Sequence, residues 1–432
     1  MPGMVTFAVA MTIMVVLLLG GLWIAFAIGI GGFLSLYPLL KEASLVIIGI
    51  VSWDTSTDFI LMALPLFIFM GEYVSSAGLV SRLYSGTAKV ITGLPGGLIQ
   101  TNLFACTIFA ACSGSSIASA ATMGRVAYQE QVLQRGYHPG MVLGSIAGGG
   151  TLGILIPPSI FFIIYGTMAD QSIGKLYIAG IVPGLMISFL FMLYVGIRSL
   201  LQPELVPKRP EHEKINWRYR LSGLRDIWPF ILLIFFVMGS IYGGVATPTE
   251  AAGIGALMAI LIGVYWRVFT WKGLIDASIN TVRTNSMIFL ILINAKVLSV
   301  GLGYYGVPAL MRELAQTVGE PILVLAVISL VYLLLGTIFD DFSLMLLMLP
   351  FVVPLVQSVG YDLIWFGVYM CILLEAGLLS PPVGMNLFVM QNVTGAPFMQ
   401  VVKGSMPFFV ILLIGAVIIV IKPIIALWLV NF

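Results

Sequence analysis

The sequence predicts an all-α polytopic membrane protein built as two inverted repeats, each with a re-entrant helical hairpin and a proline-broken transmembrane helix. Three observations carry that expectation. First, the 432 residues are 60% hydrophobic and only 9% charged, whereas soluble domains carry about 25% charged residues. Too few charges exist to cover a water-facing surface, so lipid must solvate much of the exterior. Second, double prolines interrupt two apolar runs, "GILIPPSIFF" (153–162) and "GLLSPPVGMN" (377–386). Third, the chain matches itself at a nearly constant offset. Adding 224 takes Pro157 and Pro158 to Pro381 and Pro382, Gly153 to Gly377, Gly180 to Gly404 and Pro183 to Pro407. An offset of 223 takes Gly20-Gly21 to Gly243-Gly244 and "SAGL" at 76–79 to "SVGL" at 299–302.

At about 20 apolar residues per crossing, spanning segments are expected near 4–20, 22–40, 57–76, 139–168, 176–198, 227–245, 250–268, 285–302, 363–393 and 405–430. The first run lacks a basic region before it and reads as a retained helix, not a cleaved signal. The polar stretch 198–226 divides the chain, giving a first repeat over 1–199, a linker over 200–226 and a second repeat over 227–432. Cys106, Cys112 and Cys371 lie in apolar runs and read as core thiols. The net charge of +2 gives nucleic acid no electrostatic footprint, and none is expected as a partner.

Charge orients the repeats. The stretch 198–226 holds Arg198, Lys208, Arg209, Lys214, Arg218, Arg220 and Arg225 against four acids, so it is expected on the cytoplasmic side. The loop 125–138, with Arg125 and Arg135, is expected there too. The matching flanks of the second half, "MRELAQTVGEP" and "QSVGYDL", hold one Arg against Glu313, Glu320 and Asp362 and read as external. Opposite orientation of two repeats is the layout of many secondary transporters.

Two segments are too short for paired crossings. Residues 98–128 put two apolar arms around "CSGSS", each of about 12 residues and about 18 Å long, half a bilayer. The counterpart, near 323–356, breaks at "DDFS". Irregular backbone at that depth survives only inside protein or beside a water-filled cavity. Two hairpin tips and two broken helices can meet near the midplane. Their carbonyls and hydroxyls suit a hard cation such as Na+, and half-helix N-termini suit an anion. The architecture thus implies cation-coupled uptake of a small anionic solute.

Each candidate has a plainer role beside the functional one. Small residues at Ser113, Gly114, Ser115 and Ser116 also permit close helix packing. Asp340 and Asp341 could cap the second arm, although an acid at membrane depth is a functional hypothesis by default. Asn386 could bond between helices. Glu72 and Lys296, at matching repeat positions, are expected as a buried structural pair, and Glu250 as a residue favoured by a helix N-terminus. The chain has no G-x-x-x-x-G-K-[ST] and no H-E-x-x-H, so ATP hydrolysis and zinc proteolysis by this chain are excluded and no enzyme is expected. No "TVGYG" filter is present.

"CSGSSIASAATMG", "LIPPSIFFIIYG", "GVATPTEAAG", "GTIFDDFSLMLLMLPFVVP" and "GLLSPPVGMNLFV", in this order, resemble the large membrane (M) subunit of tripartite ATP-independent periplasmic (TRAP) transporters over nearly the whole chain. The resemblance implies a Na+-driven elevator in the bacterial inner membrane. It implies a small membrane subunit and a periplasmic substrate-binding protein as partners. Matched residue by residue, the expected Na+ set is Ser113, Gly114, Ser115, Ser116, Gly153, Pro157, Asp340, Asp341, Ser380 and Pro381. The expected solute set is Ser113, Ser116, Pro158, Ser343, Pro382 and Asn386. Two positions depart from the family pattern: Ser119 stands where many members have Asp, and Ser380 where they have Thr. A stand-alone Na+/dicarboxylate symporter or ion exchanger on a similar plan, needing no binding protein, is the alternative. A channel-like pore is the third.

Overall fold

The computed structural model describes residues 2–91, 93–207 and 217–430, and among these it contains helices and turns with no strand. In the first half, α1 (Pro2–Leu19) and α2 (Ile24–Leu40) are apolar helices joined at Gly20-Gly21. Helix α3 (Ala43–Ser56) leads through a short 3-10 turn into α4 (Ala63–Ser76), and the pair is bent by 56°. Next come α5 (Leu79–Ile91), the hairpin α6 (Leu98–Ser113) and α7 (Ser116–Tyr128), the broken pair α8 (Pro139–Thr151) and α9 (Ile160–Ala169), and the long α10 (Ile173–Leu201).

The second half contains α11 (Trp217–Tyr242), α12 (Pro248–Tyr265), α13 (Trp271–Tyr304) and α14 (Val307–Val318). Its hairpin is α15 (Pro321–Gly336) with α16 (Asp341–Ser358), its broken pair α17 (Leu363–Leu379) with α18 (Met385–Thr394), and its long closing helix α19 (Phe398–Ile421). Six described helices, α10, α11, α12, α13, α16 and α19, are long and apolar enough to cross a bilayer, or seven spans if the bent pair counts as one. Local signals set many ends. Thr247 and Glu250 form a reciprocal capping box at the start of α12, the role expected of Glu250. All three cysteines are free and buried.

Several expectations change. The span expected near 285–302 begins earlier, at Trp271, and takes in the polar stretch before it as one continuous helix, α13, of 34 residues. The flank "MRELAQTVGEP" is largely α14, because its apolar residues recur at helical spacing. The loop expected over 125–138 is helical to Tyr128 and then forms a π-turn over Gln129–Gln134. Of the expected linker, 217–226 belongs to α11; Lys208, Arg209 and Lys214 lie outside the described residues. The hairpin arms are longer than about 12 residues: 16 and 13 in the first, 16 and 18 in the second, or about 20–27 Å at 1.5 Å per residue. Glu72 accepts a hydrogen bond from the Asn280 amide at 3.2 Å and does not pair with Lys296. Asn280 and Lys296 share α13 and stand 16 positions apart, about 24 Å along the axis, so one side chain cannot meet both.

Packing divides the helices into two groups. Helices α1, α2, α4 and α13 pack together, with α12 on α4 and α11 on α5 and α12. Helices α6 to α10 and α15 to α19 form the other group, centred on α8 against α19, α6 and α7, and α17 against α19 and α15. Lipid offers helices no hydrophobic reason to associate, so small residues that admit close backbone approach set the geometry. The tightest such point is α8 on α19, where a Cβ on Gly144 would overlap the Gly404 carbonyl and one on Gly404 would overlap the Gly140 carbonyl. Gly144→Ala is therefore expected to destabilise the protein by about 1–3 kcal/mol, the usual range for overpacking, read as a lower thermal midpoint in detergent. Gly303→Ala, where an added Cβ meets open space, is expected to keep the midpoint or raise it slightly, because alanine favours a helix over glycine.

Candidate functional site

The first hairpin turns at Gly114, which ends α6 at φ +59° with its N–H on the Ala110 carbonyl at 3.0 Å. Glycine is needed there twice. The left-handed conformation disfavours a side chain, and a Cβ would lie 3.0 Å from the Ile160 side chain. Ser115 is extended and caps α7, its hydroxyl accepting from the Ala118 N–H at 3.4 Å. The hydroxyls of Ser113 and Ser119 share a hydrogen bond of 2.6 Å. Ser116 donates to the Thr151 carbonyl at 3.0 Å. A Cβ on Gly153 would lie 2.6 Å from the Ser115 carbonyl oxygen. The hairpin tip thus rests directly on the break between α8 and α9.

That break covers 152–159 and is enclosed. Gly153, Pro157 and Pro158 are all buried, and the Pro157–Pro158 bond is cis. Ser159 donates to the Ile154 carbonyl at 2.5 Å, satisfying one acceptor that the broken helix frees. The second break also has a cis bond, Pro381–Pro382, but both of its prolines are exposed. Its Ser380 hydroxyl donates to the Gly377 carbonyl at 3.1 Å. The Gly384 N–H donates to the Thr337 carbonyl at 2.9 Å, which ties this break to the turn of the second hairpin.

At that turn the two acids have different roles. Asp340 is the N-cap of α16, its carboxylate accepting from the Ser343 N–H at 3.1 Å. Asp341 lies one residue inside the helix and is 2% exposed. One of its oxygens accepts from the Phe342 N–H at 3.2 Å, and the other has no partner. The Ser116 hydroxyl of the first hairpin lies beside this carboxyl group. Ser343 is buried on the same turn. Asn386, at the start of α18, is fully buried; its amide nitrogen sits 3.5 Å from the Ala147 carbonyl of α8, and its amide oxygen has no partner. The two tips and the first break therefore converge, and α18 reaches the same body through α7 and α8.

One residue escaped the sequence reading. Glu375 on α17 is 0% exposed, neither of its carboxylate oxygens has a hydrogen-bond partner, and Asp341 is its charged neighbour. The signal was available: a single acid inside "LIWFGVYMCILLEAGLL", the placement that makes an intramembrane ionisable residue a functional candidate. Unpartnered acceptors on Asp341, Glu375 and Asn386 suit a hard cation or a proton. Among the described residues no group of three His, Cys, Asp or Glu lies together as a metal site.

The division between the acids is testable by stability. Asp340→Ala removes a cap and is expected to cost about 1 kcal/mol, whereas Asp340→Asn caps nearly as well and is expected to keep the wild-type thermal midpoint. An equal loss in both variants would mean that the charge of Asp340, and not its capping bond, matters to the fold.

Residues 11–425 match the family described as tripartite ATP-independent periplasmic transporter, DctM component. The chain is similar to the C4-dicarboxylate TRAP transporter large permease protein DctM of Pseudomonas aeruginosa, with 31% identity over 408 residues covering 94% of each chain. It is similar to the sialic acid TRAP transporter large permease protein SiaM of Vibrio cholerae, with 31% identity over 370 residues and 85% of each chain. In fold it is similar to the crystal structure of the Alcanivorax borkumensis YdaH transporter, at TM-score 0.62 and 16% identity over 90% of each chain. This multi-pass chain belongs to the DctM component family of tripartite ATP-independent periplasmic transporters, the large permeases of the bacterial inner membrane.

Proposed function

We propose that this chain is the Na+-coupled large membrane subunit of a binding-protein-dependent uptake system for a small anionic organic solute, working by an elevator motion. The observation that carries the reading is the convergence of two hairpin tips on a broken helix, with buried oxygens left unpartnered on Asp341 and Glu375. Na+ is cargo here, and the residues fit it. Ser115, Ser116 and Asp341 supply hydroxyl and carboxylate oxygen, the break at Gly153 and Pro157 supplies carbonyls, and a hard monovalent cation asks for nothing softer. Ser113 is spent on Ser119, so the hydroxyl that replaces the family's Asp serves the tip itself, and the acid falls to Asp341. The solute is assigned to the side of the second break, where Pro381 and Pro382 are exposed while Pro157 and Pro158 are not. The relatives named for C4-dicarboxylate and sialic acid make a carboxylate the expected solute class.

The reading includes two inverted repeats, 1–199 and 227–432, which the pairing of the breaks and the hairpins in chain order supports. In the elevator, the body built of α6 to α10 and α15 to α19 slides against the group containing α1, α2, α4, α11, α12 and α13. A small membrane subunit on the second group and a periplasmic binding protein complete the system.

Uptake by proteoliposomes holding this chain with its small subunit is expected to need both an inward Na+ gradient and the loaded binding protein. Na+-dependent uptake without the binding protein would instead support the stand-alone symporter, and uptake without Na+ would overturn the coupling. Within that assay, Asp341→Asn keeps size and one oxygen but removes charge. The half-saturating Na+ concentration is expected to rise about tenfold for each 1.4 kcal/mol of binding lost. An unchanged Na+ curve with folded protein removes Asp341 from the site.

A further inference from the structure

A second polar site lies away from the hairpins, where α5, α11 and the end of α12 meet. It is a cavity of about 530 Å³ whose lining includes Arg82, Lys89, Arg225, Asp226 and Arg267. Four cations face one acid. Lys89 uses that acid, its ammonium lying 2.8 Å from the Asp226 carboxylate. Among the described residues no carboxylate pairs with Arg82, Arg225 or Arg267, and all three are exposed. The Arg82 guanidinium lies 5.3 Å from the Trp266 ring centroid, which holds its plane. The walls are firm. Gly86 and Gly223 bring α5 and α11 into backbone contact, where a Cβ on Gly86 would lie 2.9 Å from the Gly223 carbonyl oxygen. Three guanidinium groups around one cavity, whose one lining carboxylate is already held by Lys89, give it a positive field that draws an anion.

We propose that this cavity binds the phosphate headgroup of an anionic phospholipid. Guanidinium groups match phosphate oxygens in a two-pronged geometry that an ammonium cannot give. The cavity volume falls within the roughly 300–1,000 Å³ typical of small-ligand sites. Its position favours a lipid over a free anion. The cavity lies where the apolar span of α12 ends at Tyr265, and Trp228 and Tyr265 stack edge to face beside it with centroids 5.9 Å apart. Exposed aromatic pairs of this kind mark the headgroup level of a bilayer. Below them α11 and α12 present exposed Ile231, Phe235, Leu257 and Leu261, an apolar surface along which acyl chains can lie. The site is on the basic flank of the protein, the side on which headgroup pockets between helices are expected. It lies in the helix group assigned to the static part of the elevator, but the headgroup assignment does not depend on that motion.

The test uses the purified chain with its small subunit in neutral detergent. Phosphatidylglycerol and phosphatidylcholine are titrated separately, with retained lipid counted by native mass spectrometry and stability followed by thermal unfolding. Phosphatidylglycerol is expected to be retained and to raise the midpoint, and phosphatidylcholine is not. Arg225→Gln combined with Arg267→Gln is expected to weaken phosphatidylglycerol binding at least tenfold while leaving Na+-driven uptake measurable. Arg225→Lys combined with Arg267→Lys is expected to fall between, because it keeps charge and loses the fork. Should the double variant fail to fold, each single Gln variant is read in the same way. Inorganic phosphate matching phosphatidylglycerol at equal concentration would show a free-anion site and overturn the lipid. Equal retention by wild type and the Gln variants would overturn the site itself.

Discussion

Everything in this fold follows from one constraint: within the hydrocarbon of a bilayer no water pairs with backbone N–H and C=O groups, so any helix that is broken must be broken inside protein or beside a water-filled cavity. The chain breaks helices at 152–159 and again after Leu379, and turns them at Gly114 and at Thr337–Phe339. Each irregular stretch is met by another part of the chain. Ser116 covers the Thr151 carbonyl, Ser159 the Ile154 carbonyl, and the Gly384 N–H covers the Thr337 carbonyl. The site is therefore not an addition to a finished scaffold. Two of the hydrogen bonds that make the breaks tolerable, Ser116 to Thr151 and Gly384 to Thr337, also tie each hairpin tip to the break beside it.

Meeting that constraint demands backbone proximity, and glycine provides it. Gly71 lies against the Ser113 backbone, Gly150 against Ala120, Gly153 against Ser115, and Gly336 against Gly377. Each is a place where one more carbon would push a hairpin away from its partner. In water such glycines would weaken helices by roughly 1 kcal/mol each. In lipid the close approach they allow is the main source of packing attraction, so the balance reverses.

Much of this was legible in the sequence, for a physical reason. Double prolines inside apolar runs and a Ser-Gly-Ser-Ser turn have few explanations in a membrane chain, and both breaks and the first tip fall where those residues stand; the second tip turns at 337–340, ahead of the expected "DDFS", because Asp340 caps α16 and Asp341 already belongs to it. What was not legible depended on three-dimensional neighbours. Asp340 and Asp341 are chemically alike, and only the register of α16 makes one a cap and the other a buried acid. Polar residues before 285 set the expected start of a span there, but polarity on one face does not end a helix, and α13 runs unbroken from Trp271. Glu72 and Lys296 suggested each other by repeat position, yet distance along one helix decided for Asn280. Glu375 was missed because its run was read for its prolines, and a lone acid in that run went unweighed.

Glu375 and Asp341 also bear on how coupling arises under the proposed reading. Two buried carboxyl groups lie near one another, and no described cation pairs with either. Leaving both ionised would cost several kcal/mol per group, and admitting an anionic solute beside them would add repulsion to that cost. The solute can become stable there only after positive charge has entered, as Na+ or as a proton. Coupling then needs no dedicated gate between ion and solute sites. It follows from the excess of buried acceptor oxygens, which makes the empty site hostile to an anion and the cation-loaded site hospitable to one. On that logic the order of entry is set by electrostatics, and the elevator has only to move a body whose charge has already been balanced.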